Sequence, residues 1–210
     1  MLPDNPIELT IERLGQLGEG VGSYEGRTVF VPGSFPGERV RVRLEQEGKV
    51  VRGHLLGEVL APSPERRRSP CGLSARCGGC DWLELSETAQ RAAKQEIVLS
   101  ALEHLGRLKR DSFAVRPLLM APTSFGYRRR AVLHFLKDEL AFFGRRSHER
   151  VPVSECAALV PVLAELPGKL APLLKPVSRD AEEVHLLAEA GKASFAVMLK
   201  GQVTPRHLEA

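Results

Sequence analysis

Aromatic side chains are scarce in this chain, with one tryptophan, two tyrosines and eight phenylalanines in 210 residues. With so few of them, Tyr127 and Phe143 are each expected in a core before they are expected on a surface. No apolar run approaches the length of a bilayer span. The opening Met1-Leu2-Pro3-Asp4-Asn5-Pro6 has no basic start, apolar core or signal-peptidase site, so export is not expected and the chain reads as cytoplasmic. Cysteine is limited to four positions, Cys71, Cys77, Cys80 and Cys156. In a reducing compartment a cluster of that kind reads as a set of ligands, not as disulfides. A nucleotide loop is absent too. The turn Gly15-Gln16-Leu17-Gly18-Glu19-Gly20-Val21-Gly22 follows a strand, but the next segment, Arg27 to Val31, is again β-rich, so no helix N-terminus receives a phosphate.

What is present is organised around Cys71-Gly-Leu-Ser-Ala-Arg-Cys77-Gly-Gly-Cys80. Three thiols fall within ten residues, with two glycines between the last pair, so the backbone can curl around a small object. Structural zinc sites usually present two tight pairs. Iron-sulfur clusters are often held by a triplet and a distant fourth thiolate, as Cys156 would be. The spacing favours the cluster and leaves zinc open.

Ile7 to Glu12 alternates apolar and polar residues, Val40 to Leu44 alternates with Arg41 and Arg43 on one face, and Val50 to Leu60 is β-rich. Short strands at this spacing predict a small closed OB-like β-barrel over residues 1–62, of a kind that often binds single-stranded nucleic acid. Pro62-Ser63-Pro64 ends it. Residues 63–210 then hold the cysteine loop and a partial mixed α/β domain, for an α+β fold overall. Ser86 caps a predicted helix whose stripe Ala89, Ala93, Ile97, Ala101 and Leu105 is expected to be core, ending near Gly106. Hairpins are predicted at Arg130–Leu136 with Leu140–Phe143, and at Val184–Ala188 with Ser194–Leu199. A helix over Leu159–Leu174 is expected to break at Pro167-Gly168. Thr204-Pro205 opens a further helix after which the sequence stops within about a turn, which suggests the front part of a longer polypeptide.

Charge is unevenly spread. Between Gly126 and Arg150 lie seven basic and three acidic residues, a difference of +4 that equals the net charge of the whole chain. A local basic surface on a near-neutral body suits a polyanion, although a solvated charged face has the same composition.

The runs Gly18-Glu19-Gly20-Val21-Gly22, Val29-Phe30-Val31-Pro32-Gly33 and Pro36-Gly37-Glu38-Arg39-Val40, followed by the cysteine triplet, carry a resemblance. So do Gln90, Lys94, Gly126-Tyr127-Arg128-Arg129-Arg130-Ala131 and the cysteine after Val151-Pro152-Val153. Together they resemble the opening of the S-adenosylmethionine-dependent RNA uracil-5-methyltransferases, in particular the bacterial 23S ribosomal RNA enzymes with an N-terminal TRAM barrel and a 4Fe-4S cluster. One departure is Val132, where relatives carry a further arginine. The resemblance implies a cluster on Cys71, Cys77, Cys80 and Cys156. It also implies RNA, ribosomal RNA foremost, as partner of the barrel and of the basic segment, with Tyr127, Arg128, Arg129, Arg130, Arg145 and Arg146 as contacts. In that family a cysteine thiolate adds to carbon 6 of uracil, the enolate takes the methyl group from S-adenosylmethionine, and a base removes the carbon 5 proton. All four cysteines here are claimed by the metal, and no cofactor-binding strand, turn and helix follows. The expectation is therefore the RNA-recognition and cluster-bearing front of such an enzyme, lacking its C-terminal domain and unable to methylate alone. A stand-alone RNA-binding adaptor with zinc or a cluster, or an iron-sulfur redox protein, remain the rival readings.

Overall fold

The computed structural model describes residues 2–119, 121 and 123–200. The helix start expected at Thr204 lies outside them. The chain divides into two compact units, Met1–Ser69 with Asp81–Leu119, and Pro70–Cys80 with Met120–Ala210.

The first unit is built from β1 (Ile7–Thr10), β2 (Arg13–Leu14), β3 (Gly20–Tyr24), β4 (Arg27–Val31), β5 (Arg39–Glu47) and β6 (Val50–Leu55). Their order in the sheet is β1-β5-β6-β4-β3-β2. β1 and β2 are consecutive, separated by Ile11 and Glu12, so the same short segment supplies both edges and the sheet closes into a barrel. The Glu12 amide donates to Val21 O at 2.8 Å across the closure. Glycine makes that approach possible: a Cβ on Gly22 would lie 2.5 Å from Thr10 O, and one on Gly20 2.1 Å from Ser34 Oγ. The alternation in β5 sends Val40, Val42 and Leu44 into a core with Leu9, Ile11, Val29, Val31 and Val51, and leaves Arg39, Arg41 and Arg43 outside. The expected strand to Glu12 ends at Thr10, because Ile11 and Glu12 form the bend that closes the barrel. The strand expected to Leu60 ends at Leu55.

Glu38 is fully buried in this unit, and its carboxylate is held on several sides. Arg66 Nε donates to Oε1 at 2.5 Å and Arg66 Nη2 to Oε2 at 3.0 Å, while the Phe35 amide donates to Oε2 at 2.9 Å. The guanidinium lies 4.5 Å from the centre of the Phe35 ring and also pairs with Glu84. This network anchors the segment after Ser63 and the segment around Glu84 to the barrel. The Trp82 indole N–H adds a second anchor, donating to Gly18 O at 2.8 Å.

Helix α1 (Glu87–His104) starts where the sequence predicts, with the Ser86 hydroxyl accepting from the Ala89 amide at 3.1 Å. The Gln90 side chain donates to Trp82 O and Leu85 O, both at 2.9 Å, and ties the first turn to the incoming chain. The expected core stripe is not core among the described residues. Ala89, Ala93, Ile97 and Ala101 are half-buried, Leu105 is exposed, and the helix has no buried residue. Periodicity places apolar residues on one face of a helix, but it does not supply the partner that buries them.

The second unit carries β7 (Arg130–Leu136), β8 (Glu139–Phe143), β9 (Arg150–Pro152), β10 (Ala181–Glu189) and β11 (Lys192–Leu199) in the order β11-β10-β7-β8-β9, with every neighbour antiparallel. Ala131, Leu133, Phe135, Leu140, Val184 and Leu186 form its core with Leu159, Leu163 and Leu170, the last two from the short helices α2 (Pro161–Ala164) and α3 (Leu166–Leu173). The helical stretch does break, but at Glu165. Pro167 stands in the first turn of α3, where a missing amide costs nothing, and Gly168 is inside the helix. No helix among the described residues is long and apolar enough to cross a membrane.

Candidate metal centre

All four cysteines fall in the second unit. The triplet loop turns on itself through Ser74 N to Cys71 O at 3.2 Å and Cys77 N to Leu73 O at 2.8 Å. Its far end is zipped to the end of β8: Gly78 N donates to Phe143 O at 3.0 Å, Arg145 N donates to Arg76 O at 3.0 Å, and Cys77 bridges Gly144. A Cβ on Gly78 would lie 2.9 Å from Gly144 O, so glycine lets the two backbones touch. Cys156 arrives from β9. Its amide donates to Ala164 O at 2.9 Å, and both Cys156 and Leu73 pack against the core of the unit.

The thiols are half-buried, and none is in a disulfide. Burial pushes the Cys77 and Cys80 thiols up from their ordinary value, and mutual repulsion with Cys156 and Cys71 adds to it. The Gly79 amide at 3.4 Å from Cys77 Sγ and the Arg128 guanidinium act in the opposite direction. The four sulfurs therefore feel one another. Among the described residues, the trio of candidate ligand atoms that lies within 4.8 Å of one another is Glu45, Glu47 and His54, not a set of thiols. That trio is exposed on β5 and β6, with Glu45 already paired to His54 and Glu47 to Arg52. A tetrahedral zinc draws its sulfurs to about 3.8 Å of each other. Four thiols are a donor set that suits a tetrahedral zinc and an iron-sulfur cluster alike.

The basic residues predicted as RNA contacts do not act alike. Arg128 Nη2 donates to Gly79 O at 2.9 Å, and Arg145 Nη2 reaches Ser74 O at 3.4 Å and Cys80 O at 3.3 Å, so both hold the cysteine loop. Arg129 Nε donates to Ala188 O at 3.2 Å. Arg130 and Arg146 are exposed, the latter in a left-handed turn at φ 51°. Tyr127 and Phe143, both expected as core, are exposed at 50% and 36%. Strand register explains Phe143: it lies opposite Arg150, on the face away from the core.

Of that outer face, Arg130 and Phe143 stand out in the sequence, but not as members of one face. The pairings His134 with Ala141, His185 with Val132, and Phe143 with Arg150 put Arg130, Val132, His134, His185, Phe143 and Arg150 on one side of the sheet. The His134 ring stacks on Phe143 at 4.0 Å between centroids, and His148 meets the same ring edge-on at 5.5 Å. Period-two alternation in Arg130–Leu136 shows which residues share a face; which strands adjoin it is not written locally.

The barrel is a TRAM domain: residues 6–60 match that family. Over a longer span the chain is similar to RNA methyltransferases. It is 35% identical over 184 residues to an RNA methyltransferase of Thermosynechococcus vestitus, covering 85% of this chain and 40% of that protein. With the 23S rRNA (uracil(1939)-C(5))-methyltransferase RlmD of a Shewanella species it shares 34% identity over 199 residues, 91% of this chain and 44% of that one. The chain thus spans less than half the length of these relatives. A solved structure of the Pyrococcus abyssi tRNA (uracil-54, C5)-methyltransferase, in complex with S-adenosyl-L-homocysteine, superposes with a TM-score of 0.67 at 22% identity, over 96% of this chain and 48% of that one. The fold is shared.

Proposed function

We propose that these residues are the RNA-recognition and iron-sulfur-bearing portion of an S-adenosylmethionine-dependent RNA uracil-5-methyltransferase acting on ribosomal RNA. The observation that carries the reading is the similarity to the 23S rRNA enzyme, which covers 91% of this chain at 34% identity. Cys71, Cys77, Cys80 and Cys156 would hold a 4Fe-4S cluster. Its role here is structural: four bonds to iron fix the triplet to the segment after β9 and so stiffen the sheet that meets RNA. With the thiols committed in this way, none of them is assigned as the nucleophile towards uracil, and S-adenosylmethionine would serve the whole enzyme, not these residues.

RNA contact is assigned to the barrel and to the outer face of the second sheet. Arg130 offers charge to phosphates, while Arg150 donates to Phe135 O at 2.7 Å, and the stacked His134 and Phe143 offer a surface on which a splayed base can stack. Protein purified without oxygen should be brown, with about four irons per chain. It should bind a single-stranded ribosomal RNA fragment with an affinity that falls steeply with salt. Phe143→Ala is expected to weaken that binding by about 1–3 kcal/mol at every salt concentration, whereas Arg130→Ala should also flatten the salt slope. A colourless protein with a single zinc, or RNA affinity untouched by either substitution, would overturn the respective half of the proposal.

A further inference from the structure

Arg128 occupies a singular place. Its backbone runs beside the segment that follows Cys156: Arg128 N donates to Ala158 O at 2.8 Å, Val160 N donates to Arg128 O at 3.0 Å, and the residue forms a parallel bridge with Leu159. Its side chain reaches the other way and donates to Gly79 O at 2.9 Å, between Cys77 and Cys80. One residue therefore grips both halves of the cysteine set, through main chain on one side and guanidinium on the other. Arg145, from the turn after β8, reaches Cys80 O at 3.3 Å and Ser74 O at 3.4 Å.

We infer that Arg128 is the positioning residue of the metal centre, a strut that sets the distance between the triplet and Cys156, and that Arg128 and Arg145 together compensate the negative charge of the loaded site. The inference rests on the reading of the four cysteines as one centre. Four thiolates around a divalent core, whether zinc or an oxidised cluster, leave a dianion in a half-buried pocket. Such a charge is costly without cations nearby. Two guanidiniums anchored to carbonyls of the loop itself answer it without becoming ligands. A planar fork suits this double task better than an ammonium, because it holds a carbonyl while keeping its charge directed at the sulfurs. Arg128 is thereby removed from the list of residues free to grip phosphate.

The test compares the wild-type chain with Arg128→Met, Arg128→Lys and Arg145→Met, all purified without oxygen. Metal and sulfide content are measured, with the rate at which an added chelator strips the metal. Arg128→Met should lose metal at least about ten-fold faster than wild type, a change in barrier of about 1.4 kcal/mol. Arg128→Lys should fall between them, since it restores charge but not the fork. If Arg128→Met does not fold, Arg128→Lys and Arg145→Met carry the comparison, and both should release metal faster than wild type. For a cluster, the reduction potential of Arg128→Met, or of Arg145→Met in its place, should lie below that of wild type, because a lost cation disfavours the incoming electron, while Arg128→Lys stays close to wild type. A packing role alone would not produce that ordering. Wild-type retention and potential in every variant would overturn the inference and leave the metal centre standing. A wild-type chain that binds no metal would overturn the metal centre, and the strut with it.

Discussion

His134 sits between opposed influences on β7. Burial lowers its pKa from the usual 6.5, and Arg150 and His185 act the same way, while Glu183, with Oε1 at 3.7 Å from Nδ1, and Glu182 act against them. The ring stacks on Phe143. Because the unfolded chain takes up this proton at a higher pH than the folded one, the stabilisation is whole above the unfolded value and is lost as the pH falls through the folded one. The melting temperature of the second unit should therefore drop as the pH falls below the ordinary histidine value of 6.5, and His134→Gln should show a shallower drop over the same range. Equal slopes in the two proteins would remove His134 from the account. None of this was legible in the sequence, where His134 is one polar residue in a strand. Its partners come from β8 and β10, and Glu183 lies far along the chain. The cysteines are the reverse case: their residue type and spacing by themselves suggest a common site, while the arginines around them, read as contacts for RNA, gave no local sign that two would turn inward to the loop.

Helix α1 buries little of its surface. It is 18 residues long, has no buried residue, and relies on the Ser86 cap and on Gln90 at its first turn. Ser86→Ala should lower its helicity and cost about 1 kcal/mol. By hydrogen exchange its amides should open well before those of β5, whose alternating side chains fill the barrel core. Exchange of α1 as slow as β5 would show that its apolar stripe is covered after all. Strand elements were the most legible from sequence, since alternation in Val40–Leu44 and Arg130–Leu136 directly reports a half-buried sheet. Closure of the barrel was foreseen, but its device was not. The bend at Ile11 and Glu12 breaks what looked like one strand, and the need for Gly20 and Gly22 arises only from Ser34 and Thr10 pressing on them from elsewhere. Pro167 misled in the same way, because a proline halts a helix only where an amide is required of it.

At the scale of the molecule, the backbone passes between its two units after Ser69, after Cys80 and after Leu119, so the cysteine loop is an excursion of residues 70–80 out of one unit and into the other. The order in which a ribosome delivers these residues then matters. Cys80 is made 76 residues before Cys156, by subtraction of their positions. At about 5–20 residues per second, the three early thiols wait roughly 4–15 s for the fourth. During that interval the loop also lacks β8, to whose end it is zipped, and Arg128. On the proposed reading of the four cysteines, completion of the metal centre would be a late event of synthesis, and a pulse of thiol-alkylating reagent on stalled nascent chains should label Cys71, Cys77 and Cys80 until Cys156 has emerged. Protection of the triplet on a chain halted well before Cys156 would mean that three thiolates suffice to take the metal.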